Sequence, residues 1–171
     1  MIEAAIFVIL PLCLAMAAFT DILTMKIPNR VSVVLAVSFF AVAPFSGMDL
    51  ATFGWSIVAA VTVFAACFAL FAFNVMGGGD AKILSAAALW YGFNMDLAAF
   101  LILTGFFGGM LAMVILFIRA NQDVLLVTPL PIPMHIFKQR AGIPYGVAIG
   151  VAAFATFPDS QIFVQAMDRL Y

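Results

Sequence analysis

Phe73-Asn74-Val75-Met76-Gly77-Gly78-Gly79-Asp80-Ala81-Lys82 interrupts a chain that otherwise reads as membrane. A carboxylate at the edge of the hydrocarbon loses its water, so a position that keeps one is a functional candidate. The three glycines before Asp80 allow close backbone approach and positive φ. They are expected to loosen the entry to the next helix, leaving backbone groups free to take a peptide. Asp80 is expected at the N-cap or first turn of that helix, where unpaired amides and the helix dipole favour an anion. Lys82 brings a positive charge beside it. In a soluble protein this pattern would be a helix cap after a flexible turn. Here the membrane context and a second acid, Asp21, argue for more.

The surrounding composition fixes that context. The chain has 171 residues, 67% of them hydrophobic and 9% charged, with a mean hydropathy of +1.23. Soluble domains carry about one quarter charged residues, so this chain is an all-α polytopic membrane protein by expectation. Its length suits one domain over 1–171. A net charge of −1 gives nucleic acid no reason to bind. Cys13 and Cys67 lie in separate apolar runs without a CxxC pair, and read as packing residues. The start, Met1-Ile2-Glu3, lacks the basic region of a signal peptide, so the first run reads as a retained helix.

Apolar runs place six spans at 2–20, 31–43, 50–73, 80–93, 97–118 and 143–157. The second, fourth and sixth are short against the roughly 20 residues that cross a bilayer. The distribution of basic residues supports the count. Lys26, Arg30, Lys82, Arg119, Lys138 and Arg140 all fall on one side if every span crosses, whereas Asp49 and Asp96 fall on the other. Both termini are then outside, and Asp21 and Asp80 share the cytoplasmic side of the inner membrane. Gly105, Gly108 and Gly109 suit close helix approach in the fifth span. Between the fifth and sixth spans, Pro129-Leu130-Pro131-Ile132-Pro133 is expected to be extended. The following His135-Ile136-Phe137-Lys138-Gln139-Arg140 is expected to lie on anionic lipid.

Asp21 closes the first run in Thr20-Asp21-Ile22-Leu23-Thr24-Met25-Lys26-Ile27-Pro28-Asn29-Arg30. An acid at the carboxyl end of a helix is poorly placed electrostatically, and Lys26 is its nearest candidate partner. Pro28 restricts Ile27 to extended geometry. Two carboxylates at one site share a proton, so one serves as base and the other as acid. Hydrolysis of a peptide needs that pair: a base for water and an acid for the carbonyl oxygen or leaving amine. His135 is the only histidine, which leaves no ordinary zinc site. The serines have no base at a recognisable spacing. Asp123, Asp159 and Asp168 read as loop or tail acids.

Together, Asp21 with Lys26-Ile27-Pro28-Asn29 and then Gly77-Gly78-Gly79-Asp80-Ala81-Lys82 resemble the type IV prepilin peptidases, which are GxGD-type intramembrane aspartyl proteases. Ile143-Pro144-Tyr145-Gly146 is similar to a Pro-aromatic-Gly element near that family's last helices. The resemblance implies a catalytic dyad of Asp21 and Asp80. Gly77, Gly78, Gly79, Lys82, Lys26, Pro28 and Asn29 would support the motif or touch the substrate backbone. It implies no metal and no cofactor. Its substrate would be a prepilin or pseudopilin helix, cut after a short leader at the cytoplasmic face. Only 20 residues precede Asp21, so the chain resembles small, peptidase-only members such as those of tight-adherence (Flp-type) pilus systems, without an N-terminal methyltransferase region. Archaeal preflagellin peptidases are the nearby alternative. Two competing classes use the same residues otherwise: a transporter relaying protons through the acids, with Gly77 to Gly79 as a broken helix, and a noncatalytic assembly protein.

Overall fold

A computed structural model describes residues 2–121 and 142–169. The expected extended segment at 129–133, the interfacial stretch at 135–140 and the loop acid Asp123 lie outside these residues. The described residues form seven α-helices: α1 (Ile2–Thr24), α2 (Asn29–Val42), α3 (Leu50–Ala72), α4 (Gly78–Tyr91), α5 (Met95–Ala120), α6 (Tyr145–Thr156) and α7 (Gln161–Asp168). Short 3-10 turns follow α2 at Ala43–Phe45 and α6 at Phe157–Asp159. There is no strand among the described residues. Each expected span has its helix, and the fold is an all-α transmembrane bundle. α1, α3 and α5 are long and apolar enough to cross a membrane, and α6 with α7, bent by 44° at a break, make a fourth candidate.

The ends of these helices correct two sequence expectations. First, α1 does not stop before Asp21 but continues to Thr24. Thr20 and Thr24 donate their hydroxyls to carbonyls one turn back, at 2.9 and 2.8 Å, so the polar residues need no loop. The helix ends at Met25, whose φ is +54° and whose N–H donates to the Asp21 carbonyl at 2.8 Å. Second, the glycine run has no positive φ: Gly77 is extended, with φ −71° and ψ 142°, and Gly78 already belongs to α4. The left-handed residue lies earlier, at Asn74 (φ +58°). There the Val75 N–H donates to Leu70 and the Asn74 N–H to Phe71, both at 2.9 Å. This paired closure satisfies the last carbonyls of α3.

Helix α4 is the axis of the bundle. Ile83, Ala87 and Ala88 are fully buried, and α2 and α3 both pack along it. Ala81, Ala86, Ala87 and Ala88 are buried among its larger side chains. At its far end Trp90 donates its indole N–H to the Leu35 carbonyl at 3.0 Å, tying α4 to α2. Tyr91 stacks on Phe100 at 4.6 Å and shares a 2.8 Å hydrogen bond with the Thr156 hydroxyl, tying α4 to α5 and α6. Helix α1 packs on α6 and α2, and α5 packs on α6. The outward faces of α1, α3 and α5 expose large apolar side chains such as Met16, Val61 and Phe106, as lipid contact requires. Of the three glycines expected to bring α5 close to a neighbour, only Gly108 does so. A Cβ there would lie 2.7 Å from the Tyr145 ring, while Gly105 and Gly109 face open space.

Polar caps start the helices at the end of the bundle away from Asp80. Asp49 caps α3, accepting from the Thr52 hydroxyl and the amides of Ala51 and Thr52. The Thr52 hydroxyl, followed by its amide, holds the Asp49 carboxyl below its usual range. The cap is therefore complete at neutral pH and is lost only as acidification passes below the ordinary carboxylate range. Asn94 caps α5 in the same way, with amides of Asp96 and Leu97 at 3.0 and 3.1 Å. Asn94→Ala is expected to lower stability by about 1 kcal/mol, and Asn94→Ser to restore most of it. Denaturant unfolding in detergent measures both; equal stability of wild type and Asn94→Ala would remove the cap from the account.

Candidate active site

The break between α1 and α2 is short, residues 25–28, and it folds under the first turn of α4. Ile27 is the only residue of this turn that is buried. Its side chain lies against two glycines from distant parts of the chain. A Cβ on Gly79 would stand 3.3 Å from the Ile27 Cβ, and one on Gly146 would stand 3.2 Å from its Cδ1. Ile27 thus fixes the first turns of α4 and α6 against the end of α1.

That meeting point brings the two acids together. Asp21 and Asp80 line one cavity of about 300 Å³, with Met25, Lys26, Ile27, Asn29 and the three glycines Gly77, Gly78 and Gly79. Asp21 is 6% exposed, and its Oδ2 accepts the Gly146 N–H at 2.7 Å across 125 residues of sequence. Gly146 is in the first turn of α6, where backbone amides have no partner within their own helix. The carboxylate therefore fills a hydrogen-bonding vacancy at a helix N-terminus. Asp80 is half-buried in the first turn of α4, as its sequence position suggests. Each acid is thus held at the amino end of a helix, Asp21 by a neighbour's and Asp80 by its own.

The remaining sequence candidates fall around this pair. Pro28 precedes α2 with φ −63° and ψ 133° and accepts the Val31 N–H at 3.0 Å, setting the start of that helix. Lys82 donates from Nζ to Asn29 Oδ1 at 3.0 Å, which clamps α4 to α2 beside the cavity. Lys26 lies on the exposed rim, and Asp21 takes its hydrogen bond from Gly146 rather than from Lys26. Met25, Ile27 and the amide role of Gly146 were not legible as site features. The available signal for Ile27 was one apolar residue between Lys26 and Pro28 in a polar break. Among the described residues no group of three His, Cys, Asp or Glu side chains is spaced to hold a metal.

The three glycines guard different neighbours. A Cβ on Gly77 would lie 2.8 Å from Asp80 Oδ2; on Gly78, 3.2 Å from the edge of the Phe71 ring; on Gly79, 3.3 Å from the Ile27 Cβ. The Phe71 ring is exposed and free to turn, whereas the Ile27 Cβ is fixed to backbone. Gly78→Ala is therefore expected to be tolerated. Gly79→Val is expected to cost about 1–3 kcal/mol by overpacking. Thermal unfolding of the two variants in detergent tests the contrast, and equal melting temperatures would contradict it.

Comparison with known proteins gives one match. A model described as the type IV leader peptidase family matches residues 8–118, well over half of the chain, including Asp21 and Asp80. No curated protein and no solved structure matches. The matched stretch runs from within α1 to near the end of α5 and ends before Gly146. A helical membrane bundle with an acid-lined cavity between α1 and α4 is in keeping with it, and the chain belongs to the type IV leader peptidase family, a family of hydrolases.

Proposed function

We propose that the chain is a membrane aspartyl endopeptidase that removes the leader of type IV (Flp-type) prepilins or pseudopilins at the cytoplasmic face of the inner membrane. The observation that carries the reading is the single cavity holding both Asp21 and Asp80. It has room for a water and an extended stretch of peptide.

The chemistry follows from the shared site. Two adjacent carboxylates hold one proton between them and titrate as a pair. The ionised member takes a proton from water as the oxygen attacks the scissile carbonyl. The protonated member donates first to the carbonyl oxygen and then to the leaving amine. The hydrogen bond from Gly146 fixes one oxygen of Asp21, leaving the other for the reaction. First-turn amides of α4 at Gly78 and Gly79 lack partners within their helix and line the same cavity, so they suit the backbone of an extended substrate. The basic residues Lys26, Arg30 and Lys82 cluster at this end of the bundle, which supports a cytoplasmic site with the termini on the opposite side.

Asp21→Asn and Asp80→Asn are each expected to lower cleavage by at least about 10²–10⁴-fold, the range lost with an acid–base group. Both should leave the helical fold and membrane insertion intact. The assay is cleavage of a candidate prepilin in membranes at matched expression, with the new N-terminus sequenced. Retained activity in either variant would sink the dyad. Gly146→Ala forces a Cβ to within 2.9 Å of Asp21 Oδ2 and 3.0 Å of Asp21 Cβ. It is expected to displace that carboxylate and cost on the order of 10²-fold in kcat. Full activity of Gly146→Ala would show that the Asp21 position tolerates movement.

A further inference from the structure

The turn that leads into α6, residues 142–147, is held to α5 at two points. Gly108 takes the ring of Tyr145: a Cβ there would stand 2.7 Å from Tyr145 Cε1. In the last turn of α5, Arg119 donates from Nη2 to the Gly142 carbonyl at 2.9 Å. Positions 108 and 119 are about three helical turns apart, so they share one face of α5. Within the turn the backbone amides are sorted. Pro144 has φ −75° and ψ 77°, an inverse γ-turn in which the Tyr145 N–H donates to the Ile143 carbonyl at 2.8 Å. The Val147 N–H donates to the Pro144 carbonyl at 3.2 Å. Gly146, between them, donates outward to Asp21 Oδ2 at 2.7 Å. Only residues 143–145 separate the carbonyl that Arg119 holds from the amide that Asp21 accepts. One of them is a proline, whose ring fixes φ.

We infer that Arg119 is a positioning residue for Asp21, acting through Gly142 and the turn to set where the Gly146 N–H stands. The inference rests on the proposed function. Both Arg119 and Gly142 lie past residue 118, where the family match ends. A ring against a glycine is contact without direction, so Tyr145 limits how near the turn comes to α5 but leaves it able to slide. A hydrogen bond from a charged donor is directional and roughly twice as strong as a neutral one, and Arg119 supplies it. The tolerance at the other end is small. A retreat of the turn by about 1 Å would take the Gly146 N–H beyond hydrogen-bonding range of Asp21. The Asp21 carboxylate would then lose the donor that fixes its rotation. Arg119 does not line the cavity of Asp21 and Asp80, so its effect falls on rate and spares substrate binding.

The test uses the full chain in membranes with a candidate prepilin. Arg119→Met removes the donor and keeps an apolar stem. It is expected to lower kcat about tenfold with KM within about twofold, the pattern of an interaction that serves the transition state alone. Arg119→Lys restores one N–H donor and should keep kcat within about threefold of wild type. The double variant of Arg119→Met with Gly146→Ala separates the routes. Action through Gly146 makes it no slower than Gly146→Ala alone, whereas independent action would multiply the losses to about 10³-fold. A second readout needs no turnover: deuterium uptake by residues 143–147 should quicken in Arg119→Met while α4 keeps its protection. Multiplied losses, wild-type kcat in Arg119→Met, no rescue by Arg119→Lys, or uptake that rises equally in α4 would overturn the inference and leave the peptidase intact. Failure of the wild type to cut any prepilin would overturn the proposed function, and the part given to Arg119 with it.

Discussion

The contact on which the bundle depends is the seat of Ile27 between Gly79 and Gly146. It joins the end of α1, the start of α4 and the start of α6 at one point. A larger residue at either glycine would drive a Cβ into side-chain atoms that have little freedom to move. Because α4 is buried along most of its length, its first turn cannot retreat without disturbing Trp90 and Tyr91 at the other end. The two acids are therefore brought together by packing beneath them. Attraction between opposite charges is no part of it, since both groups are carboxyls. Steric constraint here supplies what electrostatics does not.

The polar groups of the site are satisfied economically. Helix N-termini carry free amides that something must accept, and α6 presents one to Asp21 in a buried setting. Lys82 and Asn29 satisfy one another across α2 and α4. The left-handed Met25 closes α1 through the carbonyl of Asp21 itself. A non-glycine residue in that region is held there by its surroundings. Asp21 is thus fixed through both its backbone and its side chain.

Much of this was legible from sequence, and the rest was not for identifiable reasons. The helices could be located because apolar runs and turn residues alternate plainly, and Asp80 fell in the first turn of α4 because glycines precede it. The end of α1 was misplaced since Asp21 and Thr24 look like loop residues. Threonine hydroxyls that bond back along the helix leave no trace in a hydropathy pattern. The glycine run suggested positive φ, but what it serves is proximity, which depends on residues far away in sequence. Ile27 and Gly146 stand in the quoted motifs, but their contacts with one another and with Asp21 escaped for the same reason. The partner of Asp21 is 125 residues downstream, and no local pattern announces it.

That separation has a consequence for biogenesis. A nascent chain emerges N-terminus first, so Asp21 and Asp80 enter the membrane well before the amide that anchors Asp21. Until α6 arrives, the α1 carboxylate lacks its buried hydrogen bond and Ile27 lacks half of its seat. The anchored form of Asp21 is thus a late product of synthesis, completed only when α6 brings Gly146. Unfinished chains released early carry both acids without the scaffold that aims them.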